Sequence, residues 1–133
     1  MGAYVFLNII TIPLFMNSAE HGVILFTMGF IFQPKAVPDT RIKAIFDAFA
    51  QLPQKIVMKL DPLPSDSKLT VPKNVLLKSF LPQQDILAHK NMKLFITHCG
   101  MHGVMESIYN GVPMVGMPGT EYVGFSDKIA LLA

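Results

Sequence analysis

A single cysteine, Cys99, stands in the chain, so no internal disulfide can staple it. Charge is scarce as well. Asp, Glu, Lys and Arg make up 15% of the 133 residues against 51% hydrophobic ones, which excludes a disordered tail. Eleven basic and nine acidic side chains leave a net charge of +2. That is too little, and too evenly spread, for a nucleic-acid binder that works by neutralising phosphates. No internal repeat, no G-x-G-x-x-G and no P-loop lysine is present. What remains is one domain's worth of apolar chain, long enough to bury roughly two-thirds of its unfolded surface. Its mean hydropathy of +0.43 is high for a free-standing soluble domain of this size. The excess points to a missing partner surface or to a membrane.

Much of that excess sits at the start. Met1 to Ala19 carries no charged side chain, and Ala3 to Ile10 is almost unbroken hydrocarbon. A secretory signal needs a basic n-region and a small-residue cleavage site, and neither precedes Glu20. A membrane-crossing helix needs about 20 apolar residues, whereas Asn8, Thr11, Pro13 and Asn17 interrupt this run. Residues 1–16 are therefore set apart as an apolar N-terminal segment with three readings open. They are a strand or linker packed on the rest of the protein, a signal or anchor remnant, or residues foreign to the natural product. No later stretch approaches spanning length, so the remainder reads as soluble.

From Gly22 strand-like and helix-like signals alternate. Val23 to Thr27 is a short apolar run fit for a buried parallel strand. Gly29 marks a turn, and the stretch to Val37 reads as loop. Asp39 can cap a helix with Ile42, Ile45, Phe46 and Phe49 on one face, ended by Pro53. Lys55 to Leu60 is the next strand, and three prolines make Asp61 to Lys73 surface loop. Val75 to Ser79 is a short strand, Asp85 to His89 about one helical turn, and Leu94 to Thr97 another buried strand. Gly103 to Tyr109 reads as a helix closed by Asn110-Gly111, Pro113 to Met117 as a strand, and a last helix starts near Ser126.

This alternation predicts βαβ units, hence an α/β fold with a Rossmann-like parallel sheet. Right-handed crossovers gather the strand-to-helix loops at the carboxyl edge, where open α/β sheets bind ligands. The candidate loops follow Thr27, follow Leu60, surround Pro82 and follow Thr97.

The loop after Thr97 says most. Thr97-His98-Cys99-Gly100-Met101-His102-Gly103 leaves a strand and enters a helix through two glycines. Gly100 and Gly103 let backbone approach a ligand, and the helix start offers unpaired N–H groups to a phosphate or diphosphate. His98 can hydrogen-bond the same anion. Glu106, one turn on, can accept the vicinal hydroxyls of a ribose. Two other readings of these residues stay open. His98 and His102 are four apart beside Cys99, with His89 nearby, but four-apart histidines suit a metal only on a continuous helix. Alternatively the segment is a structural turn, with His98 a satisfied core histidine.

Three motifs carry a resemblance. They are Phe80-Leu81-Pro82-Gln83-Gln84-Asp85-Ile86-Leu87-Ala88-His89, then Phe95-Ile96-Thr97-His98-Cys99-Gly100, then Glu106-Ser107-Ile108-Tyr109-Asn110-Gly111-Val112-Pro113-Met114. Asn17 to Gly29 and Leu52-Pro53-Gln54-Lys55 extend it upstream. The chain resembles the UDP-dependent glycosyltransferases, animal-type UDP-glucuronosyl and UDP-glucosyl enzymes above all, over about residues 17–118.

The resemblance implies the C-terminal, donor-binding half of a GT-B glycosyltransferase, truncated, with residues 17–133 forming an incomplete UDP-sugar-binding domain. Phe80 stands where the family usually has a tryptophan on uracil, in a chain that has no tryptophan. Leu81 would offer backbone to the uracil edge, and Gln83 would bond the nucleoside. Thr97, His98, Gly100, His102 and Gly103 match the diphosphate turn, and Glu106 matches the ribose carboxylate. Lys59 sits where a basic residue often follows the second strand, with a solvated surface lysine as its other reading. The family departs from this chain at Phe30, in place of a small hydroxyl residue, and at His102, in place of Asn. Its sugar-binding Asp-Gln pair after Pro118 is also missing, with Tyr122-Val123 or Ser126-Asp127-Lys128 nearby.

The family's catalytic base lies in an N-terminal domain that nothing here matches, so no catalytic residue and no metal is assigned. Nor are the family's C-terminal helices and membrane anchor matched, and the chain stops at Ala133 within a helix-like run. The donor is a UDP-sugar with no further cofactor, and the acceptor is a small lipophilic molecule. The parent family resides at the endoplasmic-reticulum membrane. An N-terminal domain or a homologous subunit is the implied protein partner, and nucleic acid is not. The other function consistent with these residues is a non-catalytic UDP-binding module or pseudoenzyme.

Overall fold

Every residue of the run Val23–Thr27 (β1) is buried, because it becomes the central strand of a sheet covered on both faces. The computed structural model describes residues 2–29, 37–117 and 130–132. Its other elements are α1 (Gly2–Asn17), α2 (Asp39–Ala50), β2 (Lys55–Lys59), β3 (Val75–Lys78), α3 (Gln83–Leu87), β4 (Met92–Thr97), α4 (Met101–Asn110), β5 (Met114–Gly116) and β6 (Ala130–Leu132). The six strands lie in the order β3-β2-β1-β4-β5-β6. The first five are parallel and β6 runs antiparallel to β5.

Period-two alternation along β1 divides the core. Val23 and Leu25 point to a cluster built with Ile12 and Met16 of α1, Ile86 and Leu87 of α3, and Phe95. Ile24 and Phe26 point the other way, to Ile42, Phe46 and Phe49 of α2 and to Ile56 and Met58. Leu25 and Phe95 are register partners on neighbouring strands, and both are 0% exposed. Burying such a side chain stabilises by about 1.5–3 kcal/mol. Because α2 covers one face and α1 and α3 the other, the winding reverses between β1 and β4. Open α/β sheets bind ligands in the crevice at that reversal.

The sequence expectations hold for the strands and the loop from Asp61 to Lys73, with three corrections and small shifts of boundary. First, the apolar start is neither strand nor linker but helix α1. Ile12 and Met16, one helical turn apart and each 2% exposed, face the core, and Ala19 just beyond the helix is buried with them. No helix of the described residues is long and apolar enough to cross a membrane. Second, Asp39 is not a cap. Pro38 holds the N-cap position without a side-chain bond, and Asp39 begins α2, where its charge favours the helix dipole. Third, the helix expected from Ser126 is overturned at Ala130–Leu132, which pair as a strand along β5. The open edge of β5 supplies hydrogen bonds that outweigh the helical leaning of Ala-Leu-Leu. Residues 126–129, and the loop expected over 30–36, lie outside the described residues.

Helix α3 begins at Gln83 rather than Asp85, behind Pro82. Helix α4 begins at Met101 rather than Gly103, with Gly100 as its N-cap. At its far end Gly111 adopts φ +65° and closes the helix as the Asn-Gly pair predicts. The outer face of α4 leaves Met101, Met105, Ile108 and Tyr109 exposed.

Candidate functional site

The crevice opens where Thr27, last residue of β1, pairs in register with Thr97, last residue of β4. Beyond Thr97 the chain turns sharply. Cys99 takes φ +67°, a left-handed conformation that costs a non-glycine residue about 1–2 kcal/mol. The Thr97 Oγ1 accepts the Cys99 N–H at 3.2 Å, and the Thr97 carbonyl accepts from Met117 N at 2.7 Å, which hold the turn in place. Gly100 then starts α4 with no side-chain cap and no acidic residue in the first turn. The helix therefore presents its free N–H groups and its positive end to the crevice.

The His98 ring lies between two glycines. A Cβ on Gly29 would stand 2.7 Å from its Cε1 and a Cβ on Gly100 2.5 Å from its Nε2. Its Nδ1 is buried and has no hydrogen-bond partner among the described residues. An unpaired buried polar atom costs about 1–3 kcal/mol, a cost a ligand acceptor could relieve. His98 is thus half-buried with an unpaired ring nitrogen among the described residues, rather than the satisfied core histidine of the structural-turn reading.

Two adjoining clefts result. The first, about 280 Å³, is lined by the turn residues Thr97, His98 and Gly100, by His102 and Gly103 of α4, and by Lys59 from the end of β2. The second, about 360 Å³, is lined by Phe80, Leu81 and Glu106. Gln83 lines both. Its Nε2 donates to Glu106 Oε2 at 2.6 Å and its Oε1 accepts from Thr27 Oγ1 at 3.2 Å, while Gln84 Nε2 donates to Glu106 Oε1 at 3.2 Å. Gly103 packs beside this pair, where a Cβ would come within 3.3 Å of the Phe95 ring and 3.4 Å of Gln83 Nε2.

All ten residues singled out from sequence thus surround these clefts, though in different postures. The Leu81 side chain is in the core, leaving its backbone toward the cleft. Phe80 is 67% exposed at the rim of the second cleft. The Thr97 hydroxyl is already engaged with Cys99. Sequence reasoning missed Thr27, Gln84 and Gly29. Thr27 had a signal, being the polar residue that ends the apolar run Val23 to Thr27. No group of three His, Cys, Asp or Glu side chains converges on a metal position among the described residues. Phe30, and the region of the family's Asp-Gln pair at 122–128, lie outside the described residues.

Comparison with known proteins agrees with this geometry. The family model for UDP-glucoronosyl and UDP-glucosyl transferase matches residues 11–122. The chain is 43% identical over 104 residues to UDP-glucosyltransferase 2 of Dactylopius coccus, covering 78% of this chain and 19% of that protein. It is 40% identical over 116 residues to UDP-glucuronosyltransferase 2B17 of Rattus norvegicus, covering 86% and 21%. It therefore spans about a fifth of the length of the curated relatives it matches. Among solved structures, Os79 of O. sativa in complex with UDP superposes with a TM-score of 0.66 at 24% identity, over 83% of this chain and 25% of that one, a likeness of fold. A UDP-glucose: anthocyanidin 3-O-glucosyltransferase in complex with UDP gives 0.62 at 25% identity, over 80% and 24%. These neighbours are GT-B glycosyltransferases, and the sheet with its flanking helices has the architecture of one half of that fold.

Proposed function

The chain belongs to the UDP-glucoronosyl and UDP-glucosyl transferase family, and from that membership we propose that it is the donor-binding half of a glycosyltransferase. The reaction moves a hexosyl or glucuronosyl group from a UDP-sugar to a small lipophilic acceptor. The observation that carries this reading is the buried Nδ1 of His98, without a partner among the described residues, beside the uncapped start of α4. Both suit an anion, and the first cleft is the size of a diphosphate with part of a sugar.

In this reading uracil stacks on the exposed ring of Phe80 and meets the backbone at Leu81. Glu106 accepts the ribose hydroxyls, and Gln83 stands between nucleoside and phosphates. The diphosphate rests on the N–H groups of α4 at His102 and Gly103, over Gly100, with His98 and the Thr97 backbone at one side and Lys59 at the other. As the acceptor oxygen bonds to the anomeric carbon from the opposite side, the bond from that carbon to the phosphate oxygen breaks. The electron pair leaves with UDP, where His98 and the helix start stabilise the growing charge. The acceptor's proton passes to a base outside these residues, on an N-terminal domain or a homologous subunit. We propose, from the likeness to that family, that the enzyme works at the endoplasmic-reticulum membrane.

Calorimetry with UDP tests the site. The chain should bind at micromolar to millimolar strength, and His98→Ala or Glu106→Ala should each lower affinity about tenfold or more. A well-folded chain that ignores UDP overturns the reading. A transferase assay with a supplied N-terminal half separates an enzyme from a binding module that holds UDP without turnover.

A further inference from the structure

The Gln83 amide is held at both ends, by Thr27 of the first cleft and by Glu106 of the second. Thr27 Oγ1, on a side chain 3% exposed, donates to Gln83 Oε1 at 3.2 Å. With its oxygen so engaged, the amide turns its NH2 toward Glu106, where Nε2 meets Oε2 at 2.6 Å. Gln84 holds the other oxygen, Oε1, at 3.2 Å. The relay crosses from β1 through α3 to α4. A carboxylate has about four lone-pair directions. Two are taken by these amides, which leaves two on a carboxylate that lines the second cleft.

We propose that Thr27 is a positioning residue for nucleoside recognition, acting through Gln83 to aim Glu106 at the 2′- and 3′-hydroxyls of a ribose. The proposal rests on the reading of this site as a UDP site. It makes ribose selectivity depend on a hydroxyl that lines the other cleft and touches no part of the nucleoside. A vicinal diol can bridge both aimed oxygens of Glu106. A 2′-deoxyribose offers one hydroxyl and loses less when the aim is lost.

Calorimetry with UDP and 2′-deoxy-UDP, on the whole chain and its variants, tests the relay. The unaltered chain should hold UDP about tenfold more tightly than 2′-deoxy-UDP. Thr27→Val keeps the shape and removes the donor. It should lower UDP affinity about three- to tenfold and leave 2′-deoxy-UDP within about twofold, narrowing the ratio. Thr27→Ser should restore the ratio. Should the Val variant fail to fold, Thr27→Cys, close in volume and a much weaker donor, carries the same comparison. An unchanged ratio, or an equal loss of both nucleotides, overturns the relay while leaving the UDP site standing. A folded, unaltered chain that binds neither nucleotide overturns the site reading itself, and the relay with it.

Discussion

The imidazole of His98 fills the space that a side chain on Gly100 would need, since a Cβ there would stand 2.5 Å from Nε2. Retreat is blocked, because Gly29 closes on the same ring and a Cβ on it would stand 2.7 Å from Cε1. Gly100 itself has φ −63°, ordinary for any residue. Gly100→Ala therefore brings a steric conflict with His98 and no backbone strain. UDP affinity should fall about tenfold or more, with stability lowered by about 1–3 kcal/mol as the ring is forced aside. Unchanged affinity by calorimetry would show that the ring's position is not what holds the diphosphate.

Phe80 bears on the nucleoside end. Two-thirds of it is exposed, so replacing it should change folding stability by no more than about 0.5 kcal/mol. Stacking of a base on an aromatic ring is worth about 1–3 kcal/mol. Phe80→Ala should thus weaken UDP binding about five- to a hundredfold, while Phe80→Trp should tighten it severalfold through a larger ring. A Trp variant that binds no better than the Ala variant would refute stacking at this position.

Asn74 is a structural counterpart that the sequence did not reveal. The two N–H groups of its Nδ2 are shared among the carbonyls of Phe49, Leu52 and Gln54, at 2.8, 3.1 and 3.0 Å, tying the end of α2 to the start of β3. Asn74→Ala leaves those acceptors short of a donor and should cost about 1–3 kcal/mol in a denaturant titration. UDP affinity of the folded fraction should stay the same, because Asn74 lines neither cleft.

His89 links pH to the packing of α1. Its Nδ1 accepts from Asn91 N at 3.1 Å, so Nε2 carries the proton and donates to Asn17 Oδ1 at 3.0 Å. Burial, and secondarily the Lys90 charge, hold the imidazole below its ordinary value of 6.5. The unfolded chain then takes up this proton before the folded one does. Its contribution to stability is full above about pH 6.5 and is lost as pH falls through the lower folded value. Melting temperatures measured from pH 8 down to about pH 5 should decline less steeply in His89→Gln than in the unaltered chain. Parallel curves would exclude His89 as the source.

The strands were legible wherever one local rule decided them. Val23 to Thr27 and Ile56 to Met58 are buried on both faces, and burial on both faces favours a continuous apolar run. The turn at Gly111 was legible because left-handed backbone selects glycine. The apolar start was not, because its unbroken hydrocarbon suits strand and helix alike until Ile12 and Met16 find a core to face. Ala130–Leu132 took its form from an open edge far off in sequence, which no local propensity encodes. In the site, the turn after Thr97 and the carboxylate Glu106 could be named from residue type and spacing. The parts that Thr27 and Gln84 play could not, since they lie in whom those residues touch.

By itself, then, the sequence determined the βαβ order, the family, and the residues that end up around one crevice, because periodicity, glycine placement and motif spacing are written along the chain. Only the tertiary structure decided that Thr27, 56 positions from Gln83, would orient an amide against Glu106. It also decided that two glycines from different loops would close on one histidine. Contacts of that kind follow from strand register and helix packing, which act through space between residues that have no fixed spacing in the chain.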